Sequence, residues 1–209
     1  MEAVTGVSIA GAILAGGRGR RIGGSKALAP LLGEPMIAHV AAILRPRTSS
    51  LAVVGDDIAA VMVDAEPLRD ATDDAVGPLA GILSALEWAA ACGAEWLAVA
   101  PCDTPLLPPV VVRRLLEGAR ASGLAYAMTS SGAQPLVSVW RANLAAPLRS
   151  AMLQGHPPAK TFMDQLGAAP VHFEDAIAFF NVNTPVDLAE AEEVLSARGR
   201  ALLRQPLRS

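Results

Sequence analysis

The chain is organised around the glycine-rich stretch Ile13-Leu-Ala-Gly-Gly-Arg-Gly-Arg-Arg-Ile-Gly-Gly-Ser-Lys-Ala27. The apolar run over residues 7–14 leads into it and predicts a buried first strand. Glycine lets the backbone adopt positive φ, and successive amides in such a loop converge on an anion. The loop also carries four cations and no acid between Ala15 and Lys26. These features favour a phosphate-binding loop over a flexible solvent loop.

Two common phosphate-binding motifs do not fit this loop. A Walker loop requires lysine and then a hydroxyl residue after its last glycine. Here Ser25 follows Gly24, and Ala27 follows Lys26. A dinucleotide fingerprint starting at Gly17 would need a third glycine where Ile22 stands. The loop is therefore a different kind of phosphate site.

Length and composition predict one globular domain over residues 1–209, with a basic, frayed tail from about residue 198. The net charge of −3 argues against general nucleic-acid binding. Cys92 and Cys102 lack the spacing of a zinc site or a disulfide framework. No apolar stretch reaches the roughly 20 residues of a membrane helix, and the basic residues follow the first apolar run. We expect a cytoplasmic protein that does not bind a membrane.

Strands and helices alternate along the sequence. Apolar runs predict strands over residues 7–14, 50–54, 96–100, 125–129, 135–140 and 171–173. Periodic segments predict helices over residues 36–44, 79–91, 108–120 and 185–197, a short helix starting at Asp56, and a broken helix between 144 and 163. This alternation predicts a three-layer α/β/α sandwich with a mostly parallel sheet.

Two further motifs adjoin these elements. Gly77-Pro-Leu-Ala-Gly81 opens a helix with small residues, which permits close contact with a flat ligand. Pro101-Cys-Asp-Thr-Pro105 follows a central strand, where open α/β sheets bind their ligands. Asp103 offers the carboxylate oxygen that Mg²⁺ prefers. The alternative is that Asp103 or Thr104 only caps the next helix.

A last motif, Asn181-Val-Asn-Thr-Pro185, precedes the final helix. Thr184 and Pro185 are typical of a helix N-cap and first turn. Helix capping does not explain the two asparagines around one valine, which lie on the same face of an extended segment.

In this order, the pattern Leu-Ala-Gly-Gly-x-x-x-Arg-Ile-Gly-Gly-x-Lys and the three later motifs resemble the MobA-like nucleotidyltransferase family, and within it the molybdenum cofactor guanylyltransferases. The similarity runs from about residue 12 to 195. It implies a Rossmann-like nucleotidyltransferase fold. It also implies transfer of GMP from GTP to the terminal phosphate of molybdopterin, with release of pyrophosphate and formation of the guanine dinucleotide cofactor.

The resemblance implies a role for each matched residue. Lys26 and Arg21 would be catalytic cations, and Asp103 would be catalytic as the ligand of Mg²⁺. The amides of residues 15–19 would hold the triphosphate. The nucleotide-binding residues would be Leu14, Ala15, Gly16, Gly17, Lys26, Asp70, Pro78, Leu79, Gly81 and Asp103. The acceptor-binding residues would be Gln134, Asn181 and Asn183.

Three departures from the family pattern leave alternatives open. The loop is one residue short, with Ser25 in place of the usual aspartate, and Gly55 stands where an asparagine is usual. Pro157 and Pro158 occupy a break that commonly carries arginine. The alternatives are CTP as the nucleotide, another small phosphorylated acceptor, or a regulatory module that binds nucleotide without chemistry. If the chain is a molybdenum cofactor guanylyltransferase, transient contact with other molybdenum cofactor proteins is expected.

Overall fold

The computed structural model describes residues 6–16, 25–70, 77–155 and 157–203. Its strands are β1 (Ile9–Leu14), β2 (Pro30–Leu31), β3 (Glu34–Pro35), β4 (Ser50–Val54), β5 (Glu66–Leu68), β6 (Trp96–Pro101), β7 (Leu124–Thr129), β8 (Gly132–Arg141) and β9 (Ala169–His172). Its α-helices are α1 (Met36–Leu44), α2 (Asp57–Met62), α3 (Pro78–Ala91), α4 (Val111–Ala119), α5 (Ala145–Gly155), α6 (Ala159–Gln165) and α7 (Pro185–Leu203).

A central sheet runs in the order β5-β4-β1-β6-β8-β7-β9, and β2 and β3 form a separate small ribbon. β1 pairs in parallel with β4 and β6, so every residue of β1 is buried. β8 alone of the described strands in this sheet runs antiparallel to its neighbours. The carboxyl ends of β1, β4, β5, β6 and β7 therefore meet at one edge, and β8 begins there. The predicted α/β/α sandwich with a mostly parallel sheet is confirmed.

Helices cover both faces of the sheet. Apolar residues of α1, α2 and α4 pack on one face, around Ile13 and Val53. Residues of α3, α5 and α6 pack on the other face, around Leu97 and Trp140. The Trp140 indole is fully buried and donates to Ser138 Oγ at 2.8 Å, which satisfies its N–H within the core. The chain is layered as the alternating pattern predicts, because each of these six helices buries one apolar stripe on the sheet.

Helix α7 packs beside the carboxyl edge rather than on either face. Val182 and Ala191 form a third cluster with Leu31, Met36 and Leu106. This cluster fixes the segment before α7 against the loop that follows β6. None of the described helices is both long and apolar enough to cross a lipid bilayer.

Two predicted helix limits are wrong. α4 begins at Val111 rather than at residue 108, because the Pro108 carbonyl accepts from Val111 N at 2.9 Å and closes a turn first. α7 continues to Leu203 instead of ending near residue 197. Residues 198–203 of the predicted tail are therefore helical in this structure. Arg198 donates to the Leu106 carbonyl at 2.6 Å and to Asp175 at 3.0 Å, which ties the helix down.

Candidate active site

The start of the glycine-rich loop is fixed by the two strands that flank β1. Leu14, at the end of β1, accepts a hydrogen bond from Cys102 N at 3.0 Å. Ala15 N donates to the Val54 carbonyl at 2.9 Å. This N–H therefore extends the pairing of β1 with β4, and the role of Ala15 in nucleotide binding stays a prediction. Gly16 is exposed and is the first residue beyond that pairing.

Side chains from three separate motifs meet at Lys26. Its ammonium donates to Asp103 Oδ2 at 2.5 Å and to Asn183 Oδ1 at 2.7 Å. The side chains of Lys26 and Asp103 are only 17% and 21% exposed, which shields the ion pair from water. Charge-assisted hydrogen bonds of this length are the strong ones in proteins. We call Lys26, Asp103 and Asn183 the lysine cluster.

Backbone contacts hold the lysine cluster together. Val182 N donates to the Asp103 carbonyl at 2.9 Å, and the Val182 side chain is fully buried. Asp187 Oδ2 accepts from the amides of Asn183 and Thr184, each at 2.8 Å. The Asn183 amide is the main cause of the lowered pKa of the Asp187 carboxyl. The segment bearing Asn183 is thus fixed at both ends before any ligand binds.

The helix-capping alternative for Asp103 and Thr104 is not supported. Asp103 bonds Lys26, and Thr104 Oγ donates back to the Pro101 carbonyl at 3.0 Å. No side chain caps α4 among the described residues. At α7, in contrast, the predicted cap is confirmed, since Thr184 Oγ accepts from Asp187 N at 3.2 Å.

A second group surrounds Asp70, which follows β5. A Cβ built on Gly81 would lie 3.1 Å from Asp70 Oδ1, and one built on Gly16 would lie 3.7 Å from Asp70 Oδ2. The carboxylate therefore lies between the loop and the first turn of α3. Partial burial raises the pKa of the Asp70 carboxyl. Pro78 begins α3 on an exposed position, whereas Leu79 points into the core and is 4% exposed.

Two further predicted site residues, Gln134 and Asn181, are described and do not bond Lys26, and two more lie outside the described residues. Gln134 pairs with Ala127 near the start of β8, at the same edge of the sheet. Within the described ranges, it forms no hydrogen bond to the lysine cluster. The carbonyl of Asn181 accepts from Asn183 Nδ2 at 3.3 Å, and the Asn181 residue is exposed. Gly17 and Arg21 lie outside the described residues.

Two oxygen donors of the lysine cluster suit a hard cation. Mg²⁺ takes carboxylate and amide oxygens and often only one or two protein ligands, the rest being water and phosphate. Asp103 supplies one carboxylate at the carboxyl edge. Across the described residues, no three His, Cys, Asp or Glu side chains form a closed metal cage. This donor set fits an ion that is shared with a phosphorylated ligand.

The family commonly has asparagine at position 55. In this chain, steric contact with the backbone of the loop explains why glycine stands there. Its φ is +87°, and a Cβ there would lie 2.6 Å from Gly16 Cα and 2.9 Å from Gly16 N. Both contacts are with backbone, which cannot rotate away. The turn after β4 therefore packs directly on the first residue of the loop, and only glycine fits.

We expect Gly55→Asn to lower the free energy of unfolding by about 2–4 kcal/mol, because the side chain collides with backbone and the φ is unfavourable. For a chain of this size, the thermal midpoint should fall by roughly 5–15 °C. Gly33→Asn is the matched control, since Gly33 has φ +86° with no atom within 4 Å of a built Cβ. Equal midpoints for the two variants would contradict the collision.

The two cysteines differ in environment. Burial, with the nearby Asp103 charge, raises the pKa of the Cys102 thiol to about 12, whereas Cys92 is exposed. Thiolate is the reactive form. A disulfide reagent at pH 8 should therefore label one thiol per native chain and two after denaturation. Cys92→Ser should abolish labelling of the native protein; rapid labelling of that variant would show Cys102 to be accessible.

Comparison with known proteins identifies the family. Residues 11–170 match the family model of the MobA-like NTP transferase domain. The chain belongs to this family, whose catalytic class is nucleotidyl transfer, and the resemblance inferred from the motifs is confirmed.

Its relatives include molybdenum cofactor guanylyltransferases. The protein of that name from Cereibacter sphaeroides is 40% identical over 189 residues, covering 88% of this chain and 96% of its own. One from Yersinia pestis is 34% identical, covering 86% and 93%. The crystal structure of molybdopterin-guanine dinucleotide biosynthesis protein A from Archaeoglobus fulgidus is 29% identical with a TM-score of 0.69, covering 90% of this chain and 99% of that one.

Proposed function

We propose that this chain transfers GMP from GTP to the terminal phosphate of molybdopterin and releases pyrophosphate. One observation carries the proposal: the glycine-rich loop, the segment after β6 and the segment before α7 each contribute one side chain to the lysine cluster. The names of the relatives supply the nucleotide and the acceptor. The reaction is expected in the cytoplasm, with transient contact to other proteins that handle the cofactor.

The reaction needs no nucleophile from the protein. An oxygen of the molybdopterin phosphate forms a new bond to the α-phosphorus of GTP. The bond from that phosphorus to the bridging oxygen breaks, and pyrophosphate leaves with the electron pair. A phosphate monoester is already ionised near neutral pH, so catalysis depends on positioning and on stabilising charge.

The described site residues have the following roles in the proposed reaction. The Lys26 ammonium would neutralise charge on the departing pyrophosphate. Asp70, next to Gly16 and Gly81, would contact the nucleoside, with the exposed first turn of α3 beside it. Gln134, Asn181 and Asn183 would contact the acceptor. Asp103 would hold Mg²⁺, which would act as a Lewis acid and make the α-phosphorus more electrophilic.

The test is a product assay with purified protein, molybdopterin and Mg²⁺. GTP, CTP, ATP and UTP are supplied separately, and pyrophosphate release and the dinucleotide product are measured. We expect release with GTP only, and only when the acceptor is present. A mixture without acceptor is the control for simple hydrolysis.

Other outcomes identify the alternatives. Equal or faster turnover with CTP would assign the chain to cytidylyl transfer, which the absence of a side chain at Gly55 leaves open. GTP binding without pyrophosphate release in the presence of acceptor would indicate a regulatory nucleotide-binding module and overturn the proposal.

A further inference from the structure

The two flanks of the glycine-rich loop contact the same turn, Gly55-Asp56, at the end of β4. On one flank, a Cβ built on Gly16 would lie 3.7 Å from Gly55 Cα, so the two backbones are in contact. On the other flank, Ser25 Oγ donates to Asp56 Oδ2. These contacts link the loop to the sheet independently of the lysine cluster.

Asp56 is held in place by a second interaction. Its Oδ1 accepts from Ala59 N at 2.9 Å and caps the N-terminus of α2. Ala59 and Ala60 of that helix are fully buried in the core. Because one oxygen is bound to the helix, the other has a fixed position from which to hold the Ser25 hydroxyl.

The position of Ser25 constrains the position of the Lys26 backbone. It directly precedes the 3₁₀ segment Lys26–Leu28, and its carbonyl accepts from Leu28 N at 3.1 Å. A bond to Ser25 therefore constrains the short segment from which the Lys26 side chain extends. Its ammonium must reach Asp103 and Asn183 from this segment.

We propose that Asp56, acting through the Ser25 hydroxyl, is a positioning residue for Lys26. This inference rests on the proposed function, in which Lys26 meets the pyrophosphate portion of the nucleotide. It also gives a reason for serine at position 25. An aspartate there would place a carboxylate against Asp56, and like charges repel, whereas a hydroxyl donates a hydrogen bond.

The experiment compares Ser25→Ala, Asp56→Ser and the double variant with the parent protein. Serine is a good N-cap, so Asp56→Ser keeps the cap of α2 while its side chain is too short to reach Ser25. Ser25→Thr is the matched control because it keeps the hydroxyl. The readouts are the Kd of Mg²⁺-pyrophosphate by calorimetry, kcat and KM in the GTP assay, and the thermal midpoint.

We expect each single variant to raise the Kd of pyrophosphate about fivefold, the effect of one lost hydrogen bond. In the GTP assay, kcat should fall by a similar factor while KM changes less than kcat. The double variant should be no worse than either single variant, because both remove the same contact. Ser25→Thr should stay within about twofold of the parent, and the midpoint of Ser25→Ala should be unchanged.

Three results would overturn the inference: parental pyrophosphate binding by Ser25→Ala, additive losses in the double variant, or a loss in Ser25→Thr equal to that in Ser25→Ala. Pyrophosphate is released by every nucleotidyl transfer, so this binding test is independent of the nucleotide used. A parent protein that binds pyrophosphate but does not use GTP overturns only the proposed function. A parent protein that binds no pyrophosphate overturns this inference as well.

Discussion

Lys26→Met should lower the rate of pyrophosphate release from GTP and molybdopterin by about 100-fold or more. Removing one group aimed at charge that develops in a transition state commonly costs on this order. Lys26 meets this description because its ammonium is shielded and is already bonded to Asp103 and Asn183. Methionine keeps most of the length of the side chain and removes its charge. Initial rates at saturating substrates isolate the effect on turnover.

The control for this variant is Lys160→Met. Lys160 is the other lysine of the sequence, and it pairs at 2.6 Å with Asp164, which lies one turn further along α6. Exposed pairs of this kind contribute little. The control should therefore keep its rate within about twofold. A Lys26→Met enzyme that remains within threefold of the parent, with an unchanged fold by circular dichroism, would remove Lys26 from the catalytic scheme.

Asp103→Asn should also lower turnover by about 100-fold or more, with a second effect that Lys26→Met lacks. The substitution preserves size and one oxygen but removes the negative charge that favours a divalent ion. The concentration of Mg²⁺ that gives half-maximal rate should rise at least about tenfold. Measuring the rate across a magnesium titration separates this effect from simple loss of turnover.

Asp164→Asn is the control for the metal titration, since Asp164 is half exposed and pairs only with Lys160 in the described structure. It should leave the magnesium midpoint unchanged. Lys26 and Asp103 contact each other, so their effects should not add fully in the double variant. An unchanged magnesium midpoint in Asp103→Asn would show that another group holds the ion.

Local hydrophobic patterns in the sequence predict a strand or helix well where the pattern fits only one of the two. The strand over residues 50–54 and the helix over 36–44 coincide with β4 and α1, because continuous burial and a helical apolar stripe each leave an unambiguous signature. The ends of α4 and α7 differ because helix limits depend on neighbours. A turn closed by the Pro108 carbonyl precedes α4. Near the end of α7, Arg198 donates to the Leu106 carbonyl, which is 92 residues away in sequence.

The sequence points to candidate site residues where they belong to short motifs. Lys26 and Asp103 belong to motifs that follow the neighbouring strands β1 and β6, whereas Asn183 belongs to the motif before α7 and reaches them from there. The bond from Ser25 to Asp56 has no local signature, since the partners lie 31 residues apart. The adjacency of β1 and β4 would have been the only guide to it. Gly55 illustrates the opposite case: the sequence shows a missing side chain, and only the packing on Gly16 explains it.

Because β8 runs against its neighbours, the carboxyl edge is formed by strand ends on one side and by a hairpin on the other. Leu14 and Asp70 reach this edge from parallel strands on one side, whereas Gln134 reaches it from the hairpin turn at Ser130 and Ser131. Surface turns accept insertions without disturbing the strands beyond them. Under the proposed function, we expect insertions in that hairpin to alter binding of the acceptor while binding of the nucleotide is retained.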